Sequence, residues 1–287
     1  MKPTKAVLTA ASPDHRTLAL QKLVDRDGRE RSVLEILLRE IHSAAIEDVC
    51  VIVHPGDGEA YRQATERVPV RLTMIEQAEK RGYGHALSLA KDFVAGQPFL
   101  HTVCDHLFLS HDPERSCAQQ LLEATDREDC ALSAVQSTRE TDIHHFGAVA
   151  GSLLPTEGPD TLYEIRNVVE KPTPTEAEQR LLVPGLRAGR YLTFFGMHVL
   201  PPLVLELLQQ KVEAAAATGD PAPIQLSPTL AELAQQQQYG ALLIRGERHH
   251  ISMKYGLFFT QLALALNGSE KAEVLTELVE LMARTQS

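Results

Sequence analysis

Ten consecutive residues, Gln77-Ala78-Glu79-Lys80-Arg81-Gly82-Tyr83-Gly84-His85-Ala86, put two glycines between a strand-like run and a helix-like one. Glycine lets a backbone approach a ligand closely, and a helix N-terminus offers free N–H groups. A tight turn would use the same residues, so the segment alone leaves both readings open. Asp105 follows the apolar run 98–104 and precedes His106. A carboxylate just past a buried parallel strand serves as a divalent-cation ligand or as a cap or loop residue. In Val168-Val169-Glu170-Lys171-Pro172 a charged pair ends a strand and proline stops further pairing. Glu170 could accept hydrogen bonds from hydroxyl groups and Lys171 could meet a phosphate as a point charge, or both could be a solvated strand end.

The chain has twelve histidines. The pairs His144-His145 and His249-His250 fit no common zinc spacing, so structural or solvated roles are expected for them. His85 opens a helix, where a positional or capping role is favoured over catalysis.

The composition limits what these residues can serve. With 28 Lys and Arg against 38 Asp and Glu, the net charge of −10 argues against a nucleic-acid binder, which needs clustered cations. Small nucleotides need only a few placed groups. No apolar run approaches the roughly 20 residues needed to span a bilayer. The start carries no cleavable signal pattern, so a cytoplasmic protein is expected. Cys50, Cys104, Cys117 and Cys130 form no CxxC pair and read as reduced, buried thiols. At 287 residues the chain can bury roughly three quarters of its unfolded surface without a disulfide or metal.

The elements that must position these residues read as β-α-β units. Strands are expected at 6–10, 48–54, 70–75 and 98–103. Helices are expected after Ser32, over 58–68 and over 85–95. Ser32 and Glu35 have capping-box spacing. The first 150 residues thus look doubly wound, with ligands beyond the carboxyl ends of the strands. Further strands are expected at 131–137, 146–150, 162–169 and 191–200, with a loop over 153–161. A helix end runs into a loop at 214–221, and Gln235 to Gln238 finish another helix. From Tyr255 onward the chain reads as helical with a break at Asn267-Gly268-Ser269. No solenoid repeat is present.

Taken in order, several motifs resemble those of the sugar-1-phosphate nucleotidyltransferases. They are Gly82-Tyr83-Gly84-His85-Ala86, Asp105 after a strand, Phe146-Gly147-Ala148-Val149, Glu170-Lys171-Pro172, Ile224-Gln225-Leu226 and Lys254-Tyr255-Gly256. The bacterial UTP–glucose-1-phosphate uridylyltransferase branch is the most similar, over Lys5 to about Met282. The resemblance implies a Rossmann-like, doubly wound mixed α/β sheet (the nucleotidyltransferase type A fold) with C-terminal helices. It implies a catalytic domain over 1–256 and a helical tail over 257–287 that joins subunits into a homo-oligomer. It also implies substrates, a nucleoside triphosphate and a sugar 1-phosphate, and products, a nucleotide sugar such as UDP-glucose and pyrophosphate. No nucleic acid or membrane partner is implied.

The resemblance also implies roles, position by position, as follows. Ala10 and Ala11 open the nucleotide loop, Gln77 reads the uracil edge and Gly82 holds the base with its backbone. Asp105 is the expected Mg²⁺ ligand, with Mn²⁺ or another divalent metal as the alternative. Gly147, Glu170, Lys171 and Gly196 lie on the sugar side. Arg16, Lys22, Asp105 and Lys171 form the catalytic set.

The departures from the pattern are as informative. Ser12 and Asp14 replace the two glycines of the signature loop, and Pro13 removes an N–H donor. Asp14 would stand among triphosphate charges. His250 occupies the position of the second metal-binding aspartate, and imidazole suits softer divalent metals than Mg²⁺. Pro223 precedes Ile224-Gln225-Leu226 where glutamate is usual. Two functional expectations result: an active nucleotidyltransferase, or a catalytically weak paralogue that binds nucleotide or nucleotide sugar and regulates. A role resting on the C-terminal helices alone is the third.

Overall fold

A computed structural model of the chain describes residues 1–12, 16–156 and 158–285. The chain opens with β1 (Lys5–Ala10), a hairpin of β2 (Lys22–Val24) and β3 (Glu30–Ser32), and α1 (Val33–Ser43). It continues with β4 (Asp48–Val53), α2 (Gly58–Gln63), β5 (Arg71–Glu76), α3 (Tyr83–Ser88), α4 (Lys91–Val94) and β6 (Phe99–Val103). The second half holds β7 (His106–Ser110), α5 (Cys117–Glu128), β8 (Ala131–Arg139), β9 (Gly147–Leu154), β10 (Thr161–Glu170) and α6 (Pro174–Arg180). Next come β11 (Arg190–Leu200), α7 (Leu203–Thr218), α8 (Ser227–Gln236), β12 (Tyr239–Leu243) and β13 (Gly246–His250). The chain ends in α9 (Gly256–Leu266) and α10 (Lys271–Thr285).

Among the described residues nine strands form one mixed sheet, ordered β5-β4-β1-β6-β11-β8-β12-β10-β9. The first four are mutually parallel, β11 is antiparallel to β6, and β12 is parallel to β8. The doubly wound α/β class expected from the sequence is the one observed. The chain winds outward from β1 through β4 and β5, then returns to β1's other side with β6. The crevice between the carboxyl ends of β1 and β6 is therefore the switch point, where open α/β sheets bind ligands. α1, α5 and α9 cover one face of the sheet, and α3, α4, α7 and α8 cover the other.

Several local expectations change. The helix expected over 85–95 is two short helices, α3 and α4, and the one over 58–68 stops at Gln63. Ser32 caps α1 by accepting from the Glu35 N–H at 3.0 Å, but Glu35 does not close the box. Its carboxylate instead pairs with Arg39 at 3.0 Å and Arg31 at 3.4 Å, because a guanidinium is a stronger partner than a backbone N–H. Ser116 and Gln119 do form a complete capping box, on α5. The antiparallel pair β7–β13 is a separate two-stranded sheet that the sequence reading lacks.

All four cysteines are free and buried, and burial raises the Cys50 thiol to about 12 and the Cys130 thiol to about 11. Two buried histidines cross the sheet. His101 donates from Nδ1 to the Val7 carbonyl at 3.0 Å, so its Nε2 accepts from the Tyr83 hydroxyl. His198 meets Ser133 Oγ at 2.5 Å and stacks on His101 with ring centroids 5.9 Å apart. Burial pushes His101 down to about 4 and His198 well below its usual range. Above pH 6.5 both are neutral whether the chain is folded or not. Between pH 6.5 and about 4 only the unfolded chain takes up these protons. Stability should therefore fall with acidification across that window, by about 1.4 kcal/mol per pH unit for each histidine. Urea unfolding at a series of pH values checks this, and His101→Gln should show a shallower slope than wild type.

Candidate active site

A cavity of about 480 Å³ opens at the switch point. Thr9, Ala11 and Ser12 line it from the end of β1, and Asp105 from just past β6. Ala10 is 2 % exposed and lies in the strand behind this lining. Pro13 and Asp14 lie outside the described residues.

The Gly82 loop forms one wall. Gly82 has φ +94°, and a Cβ there would stand 2.7 Å from the Ile224 carbonyl oxygen. The Gly84 N–H donates to that carbonyl at 2.8 Å, and Ile224 N–H donates to Arg81 O at 2.8 Å. Ile224-Gln225-Leu226 thus backs the loop, with Gln225 and Leu226 reaching the cavity. Gln77 Nε2 lies 3.1 Å from the Gly82 carbonyl and 3.0 Å from His85 Nδ1. A carbonyl oxygen only accepts, so this end of the amide is the donor and Oε1 is its acceptor. Burial lowers His85 from its usual range, and its ring is the partner that holds the Gln77 side chain.

Gly147, Glu170, Lys171 and Gly196 all line the same cavity. Glu170 is paired in register with Gly147 across the β9–β10 ladder. Lys171 leaves that ladder with φ +48°, and its N–H donates to Phe146 O at 3.1 Å. This left-handed residue turns the chain so that Glu170 and Lys171 both front the cavity.

Asp105 and His250 come together through β7 and β13. These strands pair His106 with His250, and Ile251 N–H donates to Asp105 O at 2.9 Å. Asp105 Oδ1 accepts from His106 Nδ1 at 2.7 Å, and Asp105 Oδ2 is 4.0 Å from His250 Nε2. Ser252 Oγ meets His250 Nδ1 at 3.0 Å. Burial, aided by His106, pushes His250 down to about 4. Among the described residues His106 Nε2 is buried with no hydrogen-bond partner. Behind them Arg248 is buried, donating to Phe194 O and to Thr193 Oγ1 at 3.0 Å, 3.5 Å over the Phe146 ring. Burial lowers it to about 9.

A divalent ion was expected between Asp105 and His250. One carboxylate and one imidazole fit a metal that accepts nitrogen better than they fit Mg²⁺, which prefers oxygen donors. Among the described residues no group of three His, Cys, Asp or Glu side chains is arranged to hold a metal. An ion here would take its remaining ligands from phosphate oxygens and water.

Two expected cations are not at the cavity. Arg16 is bound to Asp57 through two hydrogen bonds of 2.9 and 2.5 Å, and Lys22 to Glu30 at 2.6 Å on the β2–β3 hairpin. Neither lines the cavity, whereas Lys80 and Lys171 do. Tyr83, which lines the cavity, Arg248, and Ser227, which reaches the Glu170 carboxylate, were not among the expected site residues. Arg248 and Ser227 carry no local signal, because their partners are remote in sequence, whereas Tyr83 lies inside the Gly82–Gly84 motif. Among the described residues no helix is long and apolar enough to cross a membrane.

Known proteins resemble this chain in sequence and fold. The profile of the nucleotidyl transferase family matches residues 17–243. The UTP–glucose-1-phosphate uridylyltransferase of Streptococcus pneumoniae is 25% identical over 307 residues, covering 98% of this chain and 96% of its own. That of Staphylococcus epidermidis is 24% identical, covering 97% and 98%. A UDP-glucose pyrophosphorylase solved with UDP-glucose matches at TM-score 0.72 and 19% identity, covering 92% of this chain and 98% of its own. The UTP-bound enzyme of Acinetobacter baumannii matches at TM-score 0.72 and 20% identity, covering 97% and 99%. With the motifs in order and the matching profile spanning most of its length, the chain belongs to the nucleotidyl transferase family, among sugar-1-phosphate nucleotidyltransferases like UDP-glucose pyrophosphorylase.

Proposed function

We propose that this chain joins a sugar 1-phosphate to the α-phosphorus of a nucleoside triphosphate and releases pyrophosphate, with glucose 1-phosphate and UTP as its substrates. The observation that carries this reading is the shared cavity. The Gln77–Gly82 wall, the Glu170–Lys171 turn and Asp105 all line it. The Gln77 Oε1 acceptor suits the N3–H of uracil, and the loop backbone suits its carbonyls. Glu170 takes the sugar hydroxyls, and Lys171 and Lys80 are point charges for phosphate oxygens. Asp105 and His250 would hold a divalent ion, which supplies charge neutralisation on the phosphates when bound. Pyrophosphate release, assayed over a panel of triphosphates and sugar phosphates with Mg²⁺ or Mn²⁺, tests the proposal. Release that is greatest with UTP and glucose 1-phosphate supports it, and no release with any pair sinks it.

Gln77→Ala should weaken UDP binding by about tenfold, the worth of one hydrogen bond to the base. Calorimetry with UDP and with glucose 1-phosphate checks it, the second ligand being unaffected.

A second reading has its own support. Arg16 and Lys22 are each engaged by a carboxylate away from the cavity. A chain that keeps them there binds UDP-glucose without turnover and acts as a regulator. Under either reading we propose that 1–256 is the working domain and that the tail joins subunits. Phe258, Phe259, Val279 and Leu281 on α9 and α10 are exposed, and a self-contact would cover them.

A further inference from the structure

The start of α8 touches the sugar side of the cavity at one point. Ser227, 6 % exposed, donates from Oγ to Glu170 Oε2 at 2.5 Å. Gly147, opposite Glu170 in the ladder, makes the approach possible. A Cβ there would lie 3.0 Å from Ser227 Oγ, 3.1 Å from Glu170 Oε2 and 2.8 Å from Phe194 Cδ2. Three segments remote in sequence, the starts of β9 and α8 and the end of β10, therefore close on one carboxylate oxygen.

The Glu170 side chain ends a strand beside an exposed turn, so without a tether its carboxylate would sample several rotamers. We propose that Ser227 is a positioning residue. It pins Oε2 and leaves Oε1 as the oxygen that accepts from the hydroxyl of a bound sugar. The inference rests on the sugar-side reading of Glu170 given above and adds the residue that orients it. The hydroxyl donates because a carboxylate only accepts, and a charge-assisted bond of this length is among the stronger side-chain contacts. Pre-orientation of this kind removes the ordering cost from the binding step, so its loss appears in affinity for the sugar.

Calorimetry with UDP and with UDP-glucose separates the two halves of the site. The ratio of the two affinities isolates what the glucosyl group adds. In wild type the glucosyl group should tighten binding. In Ser227→Ala that gain should fall about tenfold while UDP affinity stays as in wild type. Ser227→Thr, which keeps a hydroxyl, should restore the gain, and Ser227→Ala added to Glu170→Gln should cost nothing further. A Ser227→Ala chain that keeps the full gain overturns the proposal. So does one that loses UDP affinity equally, since that marks a general structural role. Failure of the function reading looks different. A wild type that binds UDP-glucose but releases no pyrophosphate loses the transferase assignment, while the Ser227 comparison is still read by binding. A wild type in which the glucosyl group adds nothing over UDP overturns the Ser227 proposal together with the sugar-side role of Glu170, whether or not pyrophosphate is released.

Discussion

Replacing Asp105 with alanine is expected to lower pyrophosphate release on the order of 10³-fold, with little change in unfolding temperature. Asp105 is the cavity's carboxylate just beyond β6, at the crevice where strand order reverses. One of its oxygens is bound by His106, and the other faces His250 across 4.0 Å. The backbone bond from Ile251 to the Asp105 carbonyl survives truncation, so the β7–β13 pair should hold. The loss should therefore sit in kcat rather than in folding. Steady-state kinetics beside a thermal melt checks it. A variant with wild-type turnover would remove Asp105 from the chemistry. Under the regulatory reading there is no turnover to lose, and the same substitution leaves UDP affinity nearly unchanged.

Gly82→Ala is expected to weaken UDP binding about 100-fold. Two costs combine at this position. A non-glycine residue at φ +94° and ψ 177° is strained by on the order of 1–3 kcal/mol. The new Cβ would also stand 2.7 Å from Ile224 O and 2.8 Å from Ile224 N, backbone atoms that move only with their segment. Relief requires the loop to part from Ile224-Gln225-Leu226, which carries off the Gly82 carbonyl that orients Gln77. Gly96→Ala supplies the control, because Gly96 has φ +71° with nothing within 4 Å of its added Cβ. It should lose some stability and no UDP affinity. Equal affinities in both variants would detach the Gly82 loop from nucleotide binding.

The parallel half of the fold was legible because its strands are short apolar runs separated by amphipathic stretches, a pattern local in sequence. Gln77, Gly82, Gly147, Glu170 and Lys171 were singled out through the resemblance of their motifs, and all five line one cavity. What sequence could not supply is contact across long separations. β7 and β13 are far apart, and Gly-Glu-Arg-His-His has no apolar alternation to mark a strand. Yet that pair brings His250 to Asp105. The Ser227–Glu170 bond spans 57 residues, and Ser-Pro before a helix reads only as a helix start. Charge competition was also invisible. The resemblance assigned Arg16 and Lys22 to the phosphates, and spacing assigned Glu35 to a cap. In the fold Asp57, Glu30 and the Arg31–Arg39 pair claim them.

In the proposed reaction a sugar-phosphate oxygen attacks the α-phosphorus of a nucleoside triphosphate in this cavity. Glucose 1-phosphate carrying ¹⁸O in its phosphate oxygens, incubated with UTP and Mn²⁺ or Mg²⁺, tests it by mass spectrometry of both products. The expected products are UDP-glucose that retains the label and pyrophosphate that carries none. Label in pyrophosphate, or no nucleotide sugar at all, would contradict it.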